Sequence, residues 1–511
     1  MLTTTNPPLL TTDVLIVGAG PTGLMTGLVL ARRGVDALVI DGKSGPTTES
    51  RALVVQARSM EIYDQLGLAE QVLAGATPAG RIQIGAEAAP GGADFATSQS
   101  GWTPFPGAQI FEQSQNEELL SATLEAEGHP VRWGLRLTSL EAGTGSEDEH
   151  VEVLAEGQEG PVRIRARRLI GADGASSPVR HALDLPFEGV TDDATFCVAD
   201  LRGVSGIPED SLAARFGQQR FAVTFPMGPG GHVRLVWLHG GEDPEQEEAL
   251  AAVREDLDVT YEQVDWFSAY RVHHRVAANF RRGAVFLAGD AAHVHSPVGG
   301  QGMNTGLQDA HHLANLLADV SAGHLGPDAL ERYERERRPV ALTLITATDR
   351  AFGVIARSDR GTAFLRRRAR DVLSVLAPRV LASPLGPRLG GLLGQYRIRY
   401  HAVAEGEQVP RWASDRAVGV RLPPTSENAQ VLRSMSWQLH TYSPGTANRP
   451  AVPDWIEGPF AFSPDELGRL REDRLYLVRP DGFVAASFPL HAGASATSDV
   501  RDALASYDVV G

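Results

Sequence analysis

Apolar and polar positions repeat with different periods along this chain, and each period marks an element. Val14, Leu15, Ile16 and Val17 form a short β-branched and apolar run, the pattern of a buried strand. A glycine turn follows over residues 18–23, and residues 24–33 carry a helical pattern that stops at Gly34, a residue suited to ending helices. Residues 37–40 predict a second strand, which completes one βαβ half-unit. From about residue 190 to 280 the pattern turns into short alternating strands, such as 220–226 and 232–237. That predicts an antiparallel sheet inserted into the first domain. Helical periodicity returns from residue 305 to about 370. A proline-punctuated stretch, 406–426, reads as a linker. Strand patterns at 436–442, 475–479 and 482–486 then predict a separate C-terminal unit. Polar or glycine-rich segments at 87–100, 143–150 and 240–248 punctuate the chain, and there is no internal repeat.

With 511 residues the chain holds two or three domains, and 42% apolar residues suffice for their cores. The net charge of −16 argues against a nucleic-acid partner, which needs a positive surface. Arginine carries almost all the positive charge; Lys43 is the only lysine, which reads as a coding bias towards high G+C. The single cysteine, Cys197, excludes an internal disulfide or a cysteine-held metal and suits a reduced, cytoplasmic protein. The first residues lack the charge and apolar core of a secretory signal, and no run reaches the roughly 20 apolar residues of a membrane span.

Gly18-Ala19-Gly20-Pro21-Thr22-Gly23 matches G-x-G-x-x-G between a predicted strand and helix. Gly18 permits the tight turn, Gly20 lets the backbone approach a pyrophosphate, and Gly23 lets helix pack on strand. The helix end then offers unpaired N–H groups and a positive dipole to the phosphates. Asp41 closes the second strand, where an acid holds a ribose hydroxyl. This motif alone leaves FAD and NAD(P) both open.

Two further stretches bear on the choice. Residues 169–180, Leu-Ile-Gly-Ala-Asp-Gly-Ala-Ser-Ser-Pro-Val-Arg, follow a strand and open a helix. Residues 285–293, Val-Phe-Leu-Ala-Gly-Asp-Ala-Ala-His, do so again and run on into Ser296-Pro297-Val298-Gly299-Gly300-Gln301-Gly302-Met303-Asn304. Over about residues 10 to 345 the combination resembles the group A flavoprotein monooxygenases, the single-component aromatic hydroxylases related to para-hydroxybenzoate hydroxylase. The resemblance implies an α/β fold: a Rossmann-like FAD-binding domain, an inserted antiparallel substrate sheet, a helical connection and a C-terminal domain. It assigns 1–80, 105–190 and 280–345 to the FAD-binding domain, and 81–104 and 191–279 to the substrate sheet. Residues 346–405 would be the connection. The tail, 406–511, is similar to the thioredoxin-like domain of phenol and aromatic polyketide hydroxylases; it lacks C-x-x-C, so a structural role is expected, at a subunit contact of a homodimer for example.

By the same resemblance Asp290, after Gly289, holds the ribityl chain, and Asp173 helps position FAD and NAD(P)H. Pro297, Gly299, Gly300, Gly302, Met303 and Asn304 would lie against the isoalloxazine ring. Arg51 stands at a pyrophosphate-contacting position and Gln113 at another FAD contact. Independently of the family, glycines let backbone N–H groups approach a flat ring, and the helix starting near Asn304 would place its positive end against an anionic reduced flavin.

The implied chemistry is the cofactor's. NAD(P)H, with NADPH favoured, reduces FAD, oxygen adds to give a C4a-hydroperoxyflavin, and a multi-ring phenol of polyketide type is hydroxylated. Baeyer–Villiger insertion, hydroxylation that inactivates an antibiotic, an FAD reductase without oxygen transfer, and a non-enzymatic flavin-binding protein are the rival readings. No substrate residue is assigned: Phe225, Pro226, Met227 and Trp237 suit an aromatic wall, but each is better read as sheet core. The pairs His293/His295 and His311/His312 lack a consistent ligand set, so no metal is expected. No nucleophile elbow and no second dinucleotide motif is found. Arg366, Arg367, Arg368 and Arg370 read as a solvated helix face or subunit contact, and Lys43 as an exposed lysine that could reach the adenosine of FAD.

Overall fold

A computed structural model describes residues 7–510 except 49–51, 85–92, 143–149, 208, 218–219, 240–243, 297–299, 357–378, 381–382, 384, 402–407, 426, 446–447 and 491–494. The run Val14 to Val17 is buried and lies in the strand Leu9–Val17. That strand pairs in parallel with Ala37–Asp41 on one side and with Gly160–Gly171 on the other. Val285–Leu287 joins Gly160–Gly171, again in parallel, so all three motifs leave strand ends of one sheet. The helix Pro21–Arg32 starts three residues before the apolar period does. Proline fits that first position because its missing N–H has no partner there in any helix. Gly23 to Leu30 are buried, and the helix packs against Gln113–Ala126 and Gly302–Ser321.

The inserted sheet is present. Its long strands Phe187–Arg202 and Gln263–Ala277 pair antiparallel and carry His232–His239 and Phe221–Gly228 beside them. Ser211–Phe216 continues the sheet, and Arg81–Ile84 adds to it in parallel, a long-range pairing the local pattern could not show. The helix Gln246–Leu257 covers one face, over Cys197, Ala199, Leu235 and Trp237. On the opposite face, Val223, Phe225 and Met227 pack towards Leu53, Val54 and Ile110. Phe196, Val236, Leu238, Tyr270 and Val272 extend that face.

The C-terminal sheet has the order Glu457–Ala461, Gln438–Thr441, Arg474–Val478, Val484–Pro489. Its first pair is parallel and the others antiparallel, with the helix Ser495–Ser506 against the last strand, a thioredoxin-like arrangement. The stretch read as a linker is packed instead. Ala417, Val418 and Leu422 are buried in the core of the C-terminal unit, and Trp412 in the large core that also contains the FAD-binding sheet. The helical pattern resolves into Gly302–Ser321 and Glu331–Ala356. The arginine run at 366–370 lies outside the described residues. No described helix is long and apolar enough to cross a membrane.

Two buried imidazoles give a stability prediction. His311 is held at a pKa of about 3, by burial first and then by the nearby Arg58 charge. Burial alone brings His440, in the C-terminal sheet, to about 3. Unfolded, both take up a proton near pH 6.5. Their folded values are depressed, so their contribution is complete above that pH and declines as pH falls, by about 1.4 kcal/mol per unit for each ring. The urea midpoint should drop between pH 7 and pH 5, and His440→Gln should flatten that slope; a midpoint independent of pH would contradict the assignment.

Candidate functional site

The three motifs meet at the N-terminal end of the helix Pro21–Arg32. Gly18 sits at φ +107°, and a Cβ there would stand 2.3 Å from the Ala172 carbonyl oxygen, in the second motif. A Cβ on Gly23 would be 1.9 Å from the Gly18 carbonyl oxygen. The Thr22 hydroxyl lies against the third motif and the helix that follows it: added Cβ atoms at Gly289 and Gly306 would meet it at 2.5 and 2.4 Å. Gly20 differs from these neighbours. Its Cβ would meet no protein atom within 4 Å, and its φ of −79° suits any residue. Open space thus lies where the motif directs a pyrophosphate.

Asp41 ends its strand beside this turn. Its carboxylate accepts from the backbone N–H of Ala19 at 2.7 Å and of Lys43 at 2.7 Å. The Lys43 side chain is not simply exposed, as the sequence suggested. Its Nζ is 2.9 Å from Glu117 Oε2, a carboxylate with almost no exposure. That carboxylate also accepts from the Thr47 N–H at 2.8 Å and from Gln113 Nε2 at 3.0 Å. Gln113 and Glu117 are four apart on one helix face, a spacing visible in the sequence but not read there.

Asp173 uses Oδ2 to accept from the Val179 N–H at 2.9 Å, while Oδ1 is shielded and has no partner. Burial pushes this carboxyl up, against the hydrogen bonds from Ser177 and Val179. Asp290 is exposed on the one-turn helix Gly289–Ala291. Asn304, fully buried, spends its amide on backbone. Nδ2 donates to the Val54 and Gly300 carbonyls at 2.7 and 2.8 Å, and Oδ1 accepts from the Gln56 N–H at 2.8 Å. It therefore fixes the glycine segment to the strand Val54–Val55. Gly300, at φ +62°, leaves only 2.8 Å between an added Cβ and the Val54 side chain. Met303 is half-buried against the core. Gly302 opens the helix, with the His295 ring 3.7 Å from its Cβ position. His295 has Nδ1 2.9 Å from the Ser296 carbonyl, and burial first lowers its pKa to about 4. Neutral in this way, it donates from Nδ1 and leaves Nε2 as an unpartnered acceptor near the helix end. Arg51, Pro297 and Gly299 lie outside the described residues. Among the described residues, no three His, Cys, Asp or Glu side chains are grouped to hold a metal.

This set fits a dinucleotide flavin: a glycine cradle open at Gly20, an acid at the second strand end, an orphaned carboxylate oxygen on Asp173, and glycines leading into a helix N-terminus. The fold is that of the single-component FAD-dependent aromatic hydroxylases, with FAD as cofactor. The chain belongs to the FAD binding domain family, which its residues 11–348 match. It is 30% identical to the 12-dehydrotetracycline 5-monooxygenase/anhydrotetracycline 6-monooxygenase of Streptomyces rimosus, over 95% of this chain and 97% of that one. It is 34% identical to the 6-methylpretetramide 4-monooxygenase of Streptomyces rimosus over 67% of this chain. That match spans 62% of the relative, less than two thirds of its length. Among solved structures, the OxyS anhydrotetracycline hydroxylase from Streptomyces rimosus superposes with a TM-score of 0.77 at 28% identity, over 98% of this chain and 99% of the other.

The contrast between two glycines supplies a test. Gly20→Ala should leave the FAD-free protein within about 0.5 kcal/mol of the parent, because nothing is displaced. Its methyl enters the open cradle, so FAD affinity should fall by roughly tenfold or more. Gly23→Ala should cost about 1–3 kcal/mol of stability in the FAD-free protein, from the backbone clash. Denaturation and flavin titration read both; a Gly20→Ala variant with full FAD affinity would move the pyrophosphate elsewhere.

Proposed function

We propose that the protein is an FAD-dependent NAD(P)H:oxygen monooxygenase that hydroxylates a multi-ring, polyketide-type phenol. The observation that carries this reading is the continuity between the flavin segment and an apolar sheet face. Gly300 leaves no room for a Cβ beside Val54, Val54 packs in one cluster with Phe225, Val223, Met227 and Val236, and Val236 continues to Phe196, Leu238 and Tyr270. Phe196 and Tyr270 stack at 6.4 Å between ring centroids. A face of this kind suits a flat, largely apolar ligand. Trp237 points away from it into the opposite core, which agrees with the core reading of that residue.

Bound FAD supplies the redox chemistry that takes electrons from NAD(P)H and delivers oxygen. The chain's residues bind, orient and exclude water. The turn at residues 18–23 and Asp41 would hold the pyrophosphate and adenosine ribose, with Gln113 at a further contact. Asp290, Asp173 and Arg51 would hold the ribityl and phosphate parts. The backbone of Pro297, Gly299, Gly300, Gly302 and Met303 would approach the ring, and Asn304 keeps that backbone in place. The end of the helix Gly302–Ser321 offers N–H groups and a positive dipole to an anionic ring edge. Charged groups of the sheet face pair with one another. Arg234 and Asp200 form a buried pair with two 2.6 Å hydrogen bonds, and Glu112, next to Gln113, stands 3.7 Å from the same guanidinium. The remaining apolar surface keeps water from the reacting centre, which suppresses wasteful loss of reducing equivalents. NADPH as donor, the cytoplasm as compartment and a homodimer as working form belong to the same proposal; the lone buried Cys197 suits that compartment.

Aerobic turnover with NADPH under labelled oxygen, on a panel of two- to four-ring phenolic polyketides, tests the reading. One labelled oxygen on an aromatic carbon is the expected product. Label inside an enlarged ring would assign Baeyer–Villiger insertion, and NADPH-dependent change without label would assign a reductase.

A further inference from the structure

A chain of buried polar side chains runs from the Gly289 turn to the C-terminal sheet, through residues that none of the flavin motifs contains. Asp309, on the helix Gly302–Ser321, is fully buried. Its Oδ2 accepts from the Gly289 N–H at 3.2 Å and stands 2.6 Å from His293 Nε2. Its Oδ1 accepts from Arg337 Nε at 2.6 Å. Arg337, fully buried too, donates to the Thr305 carbonyl at 3.2 Å and to the Tyr400 hydroxyl at 3.0 Å. Tyr400 is tied to the C-terminal unit twice. Its ring stacks on Phe483 at 4.3 Å, and its N–H donates to the Gly419 carbonyl, whose own N–H donates to Val484. Next to Arg337, Glu336 accepts from Arg479 at 2.8 Å.

A pair of charges buried this completely costs much of its attraction in lost hydration, so burial alone does not explain it. Its geometry offers a different explanation. Gly289 begins the turn that carries Asp290, and Thr305 lies in the first turn of the helix that faces the ring. One carboxylate and one guanidinium therefore hold both flavin-facing segments at a fixed distance. We propose that Asp309 is a positioning residue for FAD, which with Arg337 and Tyr400 sets the Gly289–Ala291 turn against the Gly302–Ser321 helix and makes that alignment depend on docking of the C-terminal unit. The inference rests on FAD being the cofactor and is independent of the reaction it supports.

FAD affinity and the visible circular dichroism of bound flavin, measured on the full chain without NADPH or substrate, test it. Tyr400→Phe, which keeps the ring stack, should raise the FAD dissociation constant roughly threefold to tenfold, a part of the weight of one hydrogen bond to a charged group. Asp309→Asn should raise it by about tenfold or more and alter the flavin dichroism. Combined, the two changes should weaken binding by less than the product of their separate factors, because both cut one chain. Phe483→Leu should reproduce the Tyr400→Phe effect. Asp465→Asn, which breaks a buried ion pair elsewhere in the C-terminal unit, should leave FAD affinity unchanged. Parental affinity and dichroism in Tyr400→Phe and Phe483→Leu would overturn the proposal, even where Asp309→Asn fails to fold; so would fully multiplicative effects. Unlabelled product in the oxygen experiment, with these affinity shifts present, would remove the hydroxylase reading and leave this one standing.

Discussion

Three chain segments come into van der Waals contact at the start of the helix Pro21–Arg32, and they have room because glycines stand at the crossings. Gly18 faces Ala172, Gly23 faces Gly18, and Gly289 and Gly306 both face Thr22. A single Cβ at Gly18, Gly23, Gly289 or Gly306 would stand 1.9 to 2.5 Å from a neighbouring oxygen, well inside van der Waals contact. The parallel strands deliver these segments to one sheet edge, but the glycines decide how closely they meet. That closeness leaves a cradle whose open position is Gly20 and brings the second and third motifs within reach of one extended cofactor.

Around this contact, polar groups are satisfied in ways that fix distances between elements. Asn304 ties the flavin segment to Val54 and Gln56; Glu117 ties Lys43 and residue 47 to the helix bearing Gln113. Asp309 and Arg337 tie the Gly289 turn to two helices. Asn304, Glu117, Asp309 and Arg337 are buried, and cutting one member of the Asp309–Arg337 pair leaves the other charge unpaired, at a cost of about 3–5 kcal/mol. The apolar core sets the general packing, whereas these pairs select one relative placement of the elements. The C-terminal unit enters through the same device. Arg58 donates to the Asp481 carbonyl at 2.7 Å, Gln65 donates to Pro480 at 2.7 Å, and Arg479 reaches Glu336, so the loop Arg479–Phe483 is bound to the FAD-binding core by charge and backbone rather than by apolar area alone.

Much of the site was legible before folding because its chemistry depends on short-range geometry. A tight turn, a close backbone approach and a helix start each demand particular residues at fixed spacing, and Gly18, Gly20, Gly23, Asp41 and residues 300–304 carry those demands locally, whereas Asp173, Gly289 and Asp290 stood out through the family resemblance. The residues that escaped notice act across the chain. Glu117 matters through Lys43, 74 positions away, and Arg337 through Asp309, 28 positions away. Charged side chains in helical patterns look like solvated faces until the partner that buries them is in place. The misread linker has the same origin, since prolines announce a break in regular structure but not whether the irregular segment is packed.

The sequence by itself determined the class of fold, the cofactor and the order of its three binding motifs. The glycine turn follows from backbone sterics and helix-end electrostatics, which operate within a few residues, whereas FAD rather than NAD(P) is what the resemblance carried by the three motifs together implies. Only the tertiary structure decided that Arg81–Ile84 pairs in parallel with Ser211–Phe216, that Phe225 and Met227 face Leu53 and Val54 while Trp237 faces away, and that the C-terminal unit is wired to the Gly289 turn. Those outcomes depend on which distant surfaces exclude water from each other, and no local pattern encodes the identity of a partner hundreds of residues away.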